Sequence, residues 1–377
     1  METRPVVAHC ATPFLGPTMV WLYDQVRSLT RYRPVVLTQA ARNRKAFPFD
    51  PVYAMEDLPR WRQTLYRAVR KARGTYAGYA PILKQERADI IHAHFGQEGY
   101  RCLEARRDAR VPMVTTFYGV DVSALPGQKT WRRRFERLFA EGERFLAEGT
   151  HMAERLAALG CPPAKVRIQR LGVDLSRIPF SPSEPQGREQ PVVLMYAAFR
   201  EKKGHVYGLR AFRQILDAHP RLRMRIVGDG PLRTEIEREI RRLDLEDRVV
   251  LLGMKPHGES LQELKKATLL LSPSVTASDG DTEGGAPVAL IEAMATGVPV
   301  VSSHHADIPE VVIDGQCGIL AEERDVDRLA EGLDALLKSP ELHARIGRAG
   351  RAHVEANHNL QVQGRRLEEI YDRTIGG

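Results

Sequence analysis

The chain lacks long apolar runs. Hydrophobic residues make up 43% of its 377 residues, but no stretch approaches the roughly 18 consecutive apolar residues that a transmembrane helix needs. The opening residues METRPVVAHC have no apolar segment of the signal-peptide type and lead directly into a strand-like pattern. We therefore expect neither a membrane-spanning helix nor a secretory signal.

Cysteine is scarce and scattered. The four cysteines, at positions 10, 102, 161 and 317, form no CxxC pair and no other spacing typical of a metal site. A reducing, cytoplasmic compartment is the simplest prediction.

Acidic residues are few in the first half of the chain. Residues 1–180 contain 30 Lys and Arg against 17 Asp and Glu, a net charge of +13, whereas the remainder carries −5. This asymmetry indicates an anionic partner for the first half, and nucleic acid and an anionic membrane surface are the two candidates. Aromatic residues make up only 7% and form no stacking motif among the arginines, which disfavours nucleic acid.

Apolar, β-branched runs alternate with helical patterns throughout, which is typical of parallel α/β sheets. The chain is also too long for one core. The strand patterns lie at 5–9, 34–38, 89–94, 112–117, 145–148, 166–171, 192–197, 224–227, 249–252, 269–271 and 298–302. They predict two Rossmann-like domains that face each other across a cleft.

A polar, Pro-rich segment, SPSEPQGREQP, marks the predicted boundary. We expect an N-terminal Rossmann-like domain at 1–180 that binds the acceptor of a transfer reaction, a linker at 181–190, and a C-terminal Rossmann-like domain at 191–359 that binds the donor. Residues 360–377 have a helical pattern that can return to the first domain.

The stretch TEGGAPVALIEAMATG places two glutamates nine positions apart. On one continuous helix they would point in opposite directions, because a turn takes 3.6 residues. Pro287 favours a helix start, so Glu283 is predicted in a Gly-rich loop and Glu292 on the helix, both facing one cleft. The helix N-terminus suits a phosphate, and Glu292 can accept hydrogen bonds from a vicinal diol such as a ribose. Alternatively, both glutamates are ordinary surface residues.

A basic loop, FREKKG, follows the first strand of the second half and precedes a helix. Cations there oppose the helix dipole, and a bound anion would resolve the conflict. A solvated basic turn is the alternative. Gly228 and Gly230 form a tight strand-to-helix turn that permits close approach of a ligand or has a steric role only.

These motifs together resemble retaining, nucleotide-sugar-dependent glycosyltransferases of family 4, of the polysaccharide or colanic-acid type, which have the GT-B fold. The resemblance rests on EGGAPVALIEAMATGVPVV and, in order along nearly the whole chain, on TTFYGVDVS, GTHMAERLAALGCPPAKVRIQRLGVDL, FREKKG, IVGDGP and HHADIPEVV. It implies transfer of a sugar from a UDP- or GDP-linked donor to a saccharide or lipid-linked saccharide acceptor, in polysaccharide or glycolipid biosynthesis. No cofactor and no metal are expected.

The resemblance also implies roles for single residues. Glu292 matches the glutamate that holds the donor ribose, and Glu283 matches the one near the hydroxyls of the donor sugar. Arg200 and Lys203 resemble the basic pair that neutralises the diphosphate. Tyr118 stands at a sugar-contacting position, and Asp121 and His94 are candidates for the acceptor side of the cleft. The other donor-binding candidates are Gly16, Gly228, Gly230, Gly284, Gly285, Ala286, Pro287 and Val288.

Three departures from the family pattern stand out. GGAPVALI puts one residue more than usual between the two glutamates, which would displace Glu283 by a bulge. Ala198 occupies the common arginine position of the basic loop, for which Arg200 would substitute. Tyr118 replaces the histidine found in many members.

The DGD at 279–281 resembles a DxD motif, whose carboxylates suit Mg²⁺ or Mn²⁺. DxD motifs bind metal in another glycosyltransferase fold, whereas GT-B enzymes generally work without metal. His92 and His94, in HAHFG, would line the acceptor side or lie in the core.

Two basic segments are candidates for peripheral contact with an anionic membrane at its inner face. LPRWRQTLYRAVRKARGTYAGY carries arginines on one side and Trp61 and Leu65 on the other, and WRRRFERLF is similar. The alternative is a pair of core-facing helices with solvated basic rims. At the level of function, the alternatives are a nucleotide-sugar epimerase of related fold, a basic nucleic-acid-binding protein and a non-catalytic sugar-nucleotide-binding partner.

Overall fold

The computed structural model describes residues 4–16, 18–182 and 190–377. The chain forms two compact units. The first contains the residues up to Gly172 together with Leu360–Gly377, and the second is Val173–Asn359. Most of the predicted linker, 183–189, lies outside the described residues.

The first unit is built on a seven-stranded parallel sheet. Its strand order is β3-β2-β1-β4-β5-β6-β7. The strands are β1 (Val6–Cys10), β2 (Arg33–Thr38), β3 (Val52–Ala54), β4 (Ile90–His94), β5 (Met113–Thr116), β6 (Arg144–Ala147) and β7 (Val166–Ile168). The helices of this unit are α1 (Val20–Arg27), α2 (Arg60–Arg73), α3 (Tyr79–Gln85), α4 (Gly96–Ala109), α5 (Lys129–Glu141), α6 (Thr150–Ala158) and, from the far end of the chain, α14 (Leu360–Ile375).

The second unit has a six-stranded parallel sheet with the order β10-β9-β8-β11-β12-β13. The strands are β8 (Val192–Tyr196), β9 (Arg223–Val227), β10 (Val249–Gly253), β11 (Leu269–Ser272), β12 (Val300–Ser303) and β13 (Ile319–Ala321). The helices are α7 (His205–Ile215), α8 (Arg233–Arg242), α9 (His257–Lys266), α10 (Val288–Thr296), α11 (Ile308–Val311), α12 (Val326–Lys338) and α13 (Pro340–Asn357).

Both sheets are covered on their two faces, which explains the continuous apolar strands of the sequence. Every residue of β1 and β4 is buried. The order reverses between β1 and β4 in the first sheet and between β8 and β11 in the second. Ligands of open α/β sheets bind outside the carboxyl ends of the strands at such reversals, so in the second unit a ligand is expected at the loops after β8 and β11.

The C-terminal helix α14 completes the core of the first unit. Leu367 and Tyr371 pack with residues of β1, β4 and β5. The buried Glu368 carboxylate accepts hydrogen bonds from the backbone N–H groups of Thr30 (2.6 Å) and Arg31 (2.7 Å) and from the Arg31 guanidinium (3.2 Å). The segment that ends the chain thus closes the unit that begins it.

The boundary between the units lies before the predicted one, at Gly172 rather than at 180. Residues after Gly172 are held by the second unit: the Val173 N–H donates to the His358 carbonyl (2.8 Å), and the Ser181 N–H donates to the Thr296 carbonyl (2.8 Å). The sequence analysis also did not predict β3 and β13, which are three residues each. The predicted helix that carries Glu292 is confirmed, as α10 (Val288–Thr296).

Among the described residues, none of the helices is long and apolar enough to cross a bilayer.

We expect Glu368→Ala to lower the free energy of unfolding of the first unit by about 2 kcal/mol, because the N–H groups that the carboxylate binds lose their partner. Urea unfolding followed by tryptophan fluorescence measures this, since Trp21, Trp61 and Trp131 all lie in the first unit. The control is Glu369→Ala, an exposed neighbour on the same helix. Equal midpoints for the two variants would contradict the assigned role.

Candidate functional site

The candidate site of the second unit is formed by two loops at the reversal of its sheet. One loop joins β8 to α7 and carries the basic FREKKG segment, and the other joins β11 to α10 and carries Glu283. The two loops are tied to each other by backbone and side chains. The Val275 N–H donates to the Lys202 carbonyl (2.9 Å), and the Glu201 carboxylate accepts from the Ser278 N–H (2.9 Å) and hydroxyl (2.7 Å).

An ion pair joins Lys203 to the buried carboxylate of Glu283. The Lys203 Nζ lies 2.7 Å from Glu283 Oε2, and the Ser274 hydroxyl donates to Oε1 at 2.8 Å. Burial by itself would raise the pKa of the Glu283 carboxyl, but the charges of Lys203 and Lys202 outweigh it and hold the pKa below its usual value. Glu283 is therefore an anion with two fixed hydrogen-bond donors, and the surface-residue alternative is wrong for it.

The backbone of Glu283 is fixed from a third direction. Its N–H donates to Nε2 of His305 at 3.0 Å, and His305 Nδ1 lies 2.6 Å from the Glu323 carboxylate. Since Nε2 accepts a hydrogen bond from the peptide N–H of Glu283, Nδ1 must carry the ring proton and donate to Glu323. His305 is thus held in one neutral tautomer. It is the second histidine of the motif HHADIPEVV, and in this structure it fixes the backbone of Glu283.

The close approach of the two loops requires glycine at position 204. Gly204 has φ +65°, and a Cβ there would overlap the carbonyl oxygen of Pro273. The neighbouring Lys202 donates to the Thr282 carbonyl (2.8 Å) and pairs with Asp281 (3.1 Å). Lys202 therefore binds one carboxylate of the DGD segment and is the second cation acting on Glu283, a role that the sequence analysis did not assign to it.

Arg200 is not brought to the same partner as Lys203. It is exposed and lines a cavity of about 270 Å³ between the starts of α7 and α8, together with His205, Tyr207 and Arg210. Lys203 is not among the residues that line this cavity. The predicted basic pair is therefore split in this structure, and a contact of both residues with one diphosphate stays a prediction.

Glu292 projects from α10 and is nearly buried. Its Oε1 lies 2.6 Å from Nε2 of His257, the first residue of α9, and its side chain is 6% exposed. No side chain caps the N-terminus of α10 and no acidic residue lies in its first turn, so its first N–H groups suit an anion. Pro287, the predicted helix start, is the N-cap residue, and α10 begins one position later at Val288. The surface-residue alternative is wrong for Glu292 too.

The predicted glycine turns have a steric explanation. A Cβ at Gly228 (φ +149°) would overlap the Ala197 carbonyl oxygen, and one at Gly230 would lie 2.8 Å from that of Phe199. Close packing of the loop after β9 against the loop after β8 requires both glycines. The remaining donor-binding candidates, Gly284 (φ +77°), Gly285, Ala286 and Val288, follow Glu283 in the loop and at the start of α10.

In the first unit, the structure brings His94 and Tyr118 together. The Tyr118 hydroxyl lies 2.7 Å from His94 Nδ1, and His94 Nε2 lies 2.9 Å from His9 Nδ1. Tyr118 is 9% exposed and its ring packs on Trp21 at 4.6 Å. The phenol hydroxyl therefore points inward, toward the buried histidine.

His9, His92 and His94 form a buried cluster whose candidate ligand atoms lie within 4.8 Å of one another. Burial lowers the pKa of His9 to about 3 and those of His92 and His94 well below the usual value, so all three are neutral. Their nitrogens are engaged by protein groups except His9 Nε2: His92 binds the Tyr371 hydroxyl (2.6 Å) and Thr116 (2.7 Å). We assign the cluster to this hydrogen-bond network.

Asp121 and Gly16 are the other candidates of the first unit. Asp121 is fully buried and accepts hydrogen bonds from the N–H groups of Gly96 (2.8 Å), Gly119 (2.9 Å) and Tyr118 (3.1 Å). It therefore joins the loop after β5 to the start of α4. Gly16 follows β1, where a Cβ would make only ordinary contact, 3.5 Å from Met19.

Comparisons with known proteins show the family to which the chain belongs. A family model described as glycosyl transferases group 1 matches residues 177–353, and one described as glycosyltransferase family 4 matches residues 20–177. WcaL of Escherichia coli K12, named as a colanic acid biosynthesis glycosyltransferase, is 38% identical over 289 residues, which are 75% of this chain and 70% of WcaL. The chain belongs to glycosyltransferase family 4. This glycosyltransferase is also 26% identical, over 97% of its length and 96% of the relative's, to a GDP-mannose-dependent phosphatidylinositol monomannoside mannosyltransferase of Corynebacterium glutamicum.

The fold of this glycosyltransferase is the GT-B fold. HepE of Anabaena, solved in complex with UDP, superimposes with a TM-score of 0.78 at 18% identity, covering 98% of this chain and all of HepE. The matched families are transferases, so neither the epimerase nor the nucleic-acid alternative finds support.

Gly204→Ala is expected to destabilise the second unit by at least about 2 kcal/mol, because alanine disfavours positive φ and its methyl group would overlap Pro273. Calorimetric melting measures this effect. The matched control is Gly258→Ala in α9, where a Cβ meets nothing within 4 Å and alanine favours the helix. A Gly204→Ala melting curve that coincides with that of wild type would refute the steric argument.

Proposed function

We propose that the enzyme transfers a sugar, with retention, from a UDP- or GDP-linked donor to a saccharide or lipid-linked saccharide acceptor in polysaccharide or glycolipid biosynthesis. The observation that carries this proposal is the Lys203–Glu283 ion pair, with its buried carboxylate, at the reversal of the second sheet. We propose that this cation and this anion bind the diphosphate and the sugar hydroxyls of a nucleotide sugar. The relatives support the class of donor, since HepE binds UDP and one relative is named for GDP-mannose.

In the proposed reaction the bond between the anomeric carbon and the diphosphate oxygen breaks. The acceptor hydroxyl attacks from the same face, and its proton passes to the departing phosphate. Lys203 and the uncapped N-terminus of α10 are placed to neutralise the charge that develops on the diphosphate, and fixed electrostatics of this kind usually supply the largest part of catalysis. Arg200 is the further cation that we assign to the diphosphate, after movement of its exposed side chain.

The carboxylates have different proposed tasks. Glu292 accepts hydrogen bonds from the ribose, and Glu283 from hydroxyls of the donor sugar, with its second oxygen oriented by Ser274. For the acceptor we propose the first unit, with Tyr118, His94 and Asp121 shaping the side of the site that this unit supplies. Since the Tyr118 hydroxyl binds His94, its contact with a sugar would be made by the ring edge or after rotation.

A binding panel tests the donor site. UDP, GDP, ADP, TDP and CMP are added to wild type, Glu292→Gln and Lys203→Met, and melting temperatures are recorded. A nucleotide at a hundred times its dissociation constant stabilises by roughly 2.7 kcal/mol. We expect UDP or GDP to raise the melting temperature of wild type but not that of Glu292→Gln. In a sugar-transfer assay we expect Lys203→Met to lower kcat roughly a hundredfold. Stabilisation of Glu292→Gln equal to that of wild type would remove the ribose assignment.

We propose that the transfer needs no metal. Sugar transfer by the wild type is therefore assayed with and without excess EDTA, and we expect the same rate in both. Lysine and helix N–H groups would then do what a divalent cation does elsewhere. Activity that disappears in EDTA and returns with Mg²⁺ or Mn²⁺ would contradict this part of the proposal and direct attention to Asp279 and Asp281.

We also propose peripheral contact with an anionic membrane through α2, and accordingly a cytoplasmic enzyme at the inner face. None of the residues of α2 is buried; Trp61 is 64% and Leu65 52% exposed, on a helix with six basic residues. By contrast, α5, the second basic segment, buries Phe135, Leu138 and Phe139, so its basic residues are a rim on a core helix. The sequence analysis could not distinguish the two segments. Of these two helices, the structure shows an exposed apolar face on α2 and a buried one on α5.

A vesicle experiment separates these two helices. We expect Trp61→Ala combined with Arg67→Gln, Arg70→Gln and Lys71→Gln to abolish flotation with vesicles that contain anionic lipid, since each basic residue near such a surface contributes about 1 kcal/mol. Arg132→Gln combined with Arg133→Gln in α5 is the control. Unchanged flotation of the α2 variant would rule out α2 as the docking helix.

A further inference from the structure

The carboxylate of Glu292 has a partner that no motif singled out. His257 Nε2 lies 2.6 Å from Glu292 Oε1, and the two side chains are 19% and 6% exposed. His257 stands at the start of α9, which follows β10, whereas Glu292 belongs to α10, which follows β11. The contact therefore fixes the carboxylate from an element other than its own helix.

The pair lies at the carboxyl edge of the second sheet. Tyr196 is the last residue of β8, and burial together with the nearby charge of Glu292 raises its pKa to about 12. Glu292 thus acts on the end of the central strand at the sheet reversal, where doubly wound folds bind nucleotides. A histidine that orients a carboxylate here affects ligand geometry directly.

We propose that His257 is a positioning residue that holds the Glu292 carboxylate in the orientation that accepts both hydroxyls of a ribose, and that it thereby sets the preference for ribonucleotides over 2′-deoxyribonucleotides. The inference rests on the proposed role of Glu292. A carboxylate binds a vicinal diol well only when its two oxygens face the two hydroxyls. With Oε1 held by His257, the plane of the carboxylate is fixed, while Oε2 and the second lone pair of Oε1 stay available to a ligand.

The test compares dissociation constants of UDP with 2′-deoxyUDP, and of GDP with 2′-deoxyGDP. Wild type is expected to prefer the ribonucleotide of its own base about tenfold, the worth of one hydrogen bond to a charged group. His257→Ala should lose most of this preference by binding the ribonucleotide about tenfold more weakly. His257→Gln should keep it, because the glutamine amide can replace the Nε2 donor. In activity assays His257→Ala should raise KM for the donor and leave kcat nearly unchanged.

The matched control is His219→Ala. His219 lies in the turn after α7, and its Nε2 is 2.7 Å from Oδ1 of Asp334 on α12 in the same unit, which makes a similar pair. We expect no change in nucleotide preference for this variant. An equal loss in His219→Ala and His257→Ala would show a general effect on the unit and overturn the proposal.

Glu292→Gln separates the inference from the function on which it rests. If Glu292→Gln keeps the affinity and preference of wild type, the ribose role of Glu292 fails and the inference with it. If Glu292→Gln loses the preference while His257→Ala keeps it, only the inference is overturned. Support requires that both single variants lose the preference and that the double variant be no worse than Glu292→Gln.

Discussion

The candidate site depends on one ion pair, between Lys203 and the buried carboxylate of Glu283. Removing two charges from water is costly, and such a pair persists only where other groups satisfy the remaining hydrogen-bonding positions. Here Ser274 binds the second carboxylate oxygen and His305 binds the backbone N–H of Glu283. Glu323 in turn fixes the tautomer of His305. These contacts hold the loops after β8, β11 and β12 together.

This arrangement explains why the two loops tolerate little change. Gly204 lets the basic loop approach Pro273, and the ties of Glu201 and Lys202 to the opposite loop keep the lysines in place. A site of this kind is already ordered before a ligand arrives. Little reorganisation is then needed when charge develops on a leaving group, which is what electrostatic catalysis requires.

Much of the fold followed from the sequence, because buried parallel strands are apolar throughout and alternate with amphipathic helices. The α/β class, the family and α10 with Glu292 were predicted and are confirmed. The sequence could not predict residues that orient other site residues. Ser274 and His257 belong to no motif of their own, and only the folded structure shows that they contact Glu283 and Glu292. The pairing of Arg200 with Lys203 was implied by the family resemblance, which does not show that the two side chains have different surroundings in this structure. The two basic segments were indistinguishable in sequence, since periodicity does not tell whether an apolar face is covered.

The part that α14 plays in the first unit has a consequence for the newly made chain. Leu367, Glu368 and Tyr371 supply core and hydrogen bonds to strands and turns that are synthesised first. The ribosome completes the whole second unit before it makes these residues. The core of the first unit therefore stays incompletely covered until α14 is made, although most of this unit is synthesised first.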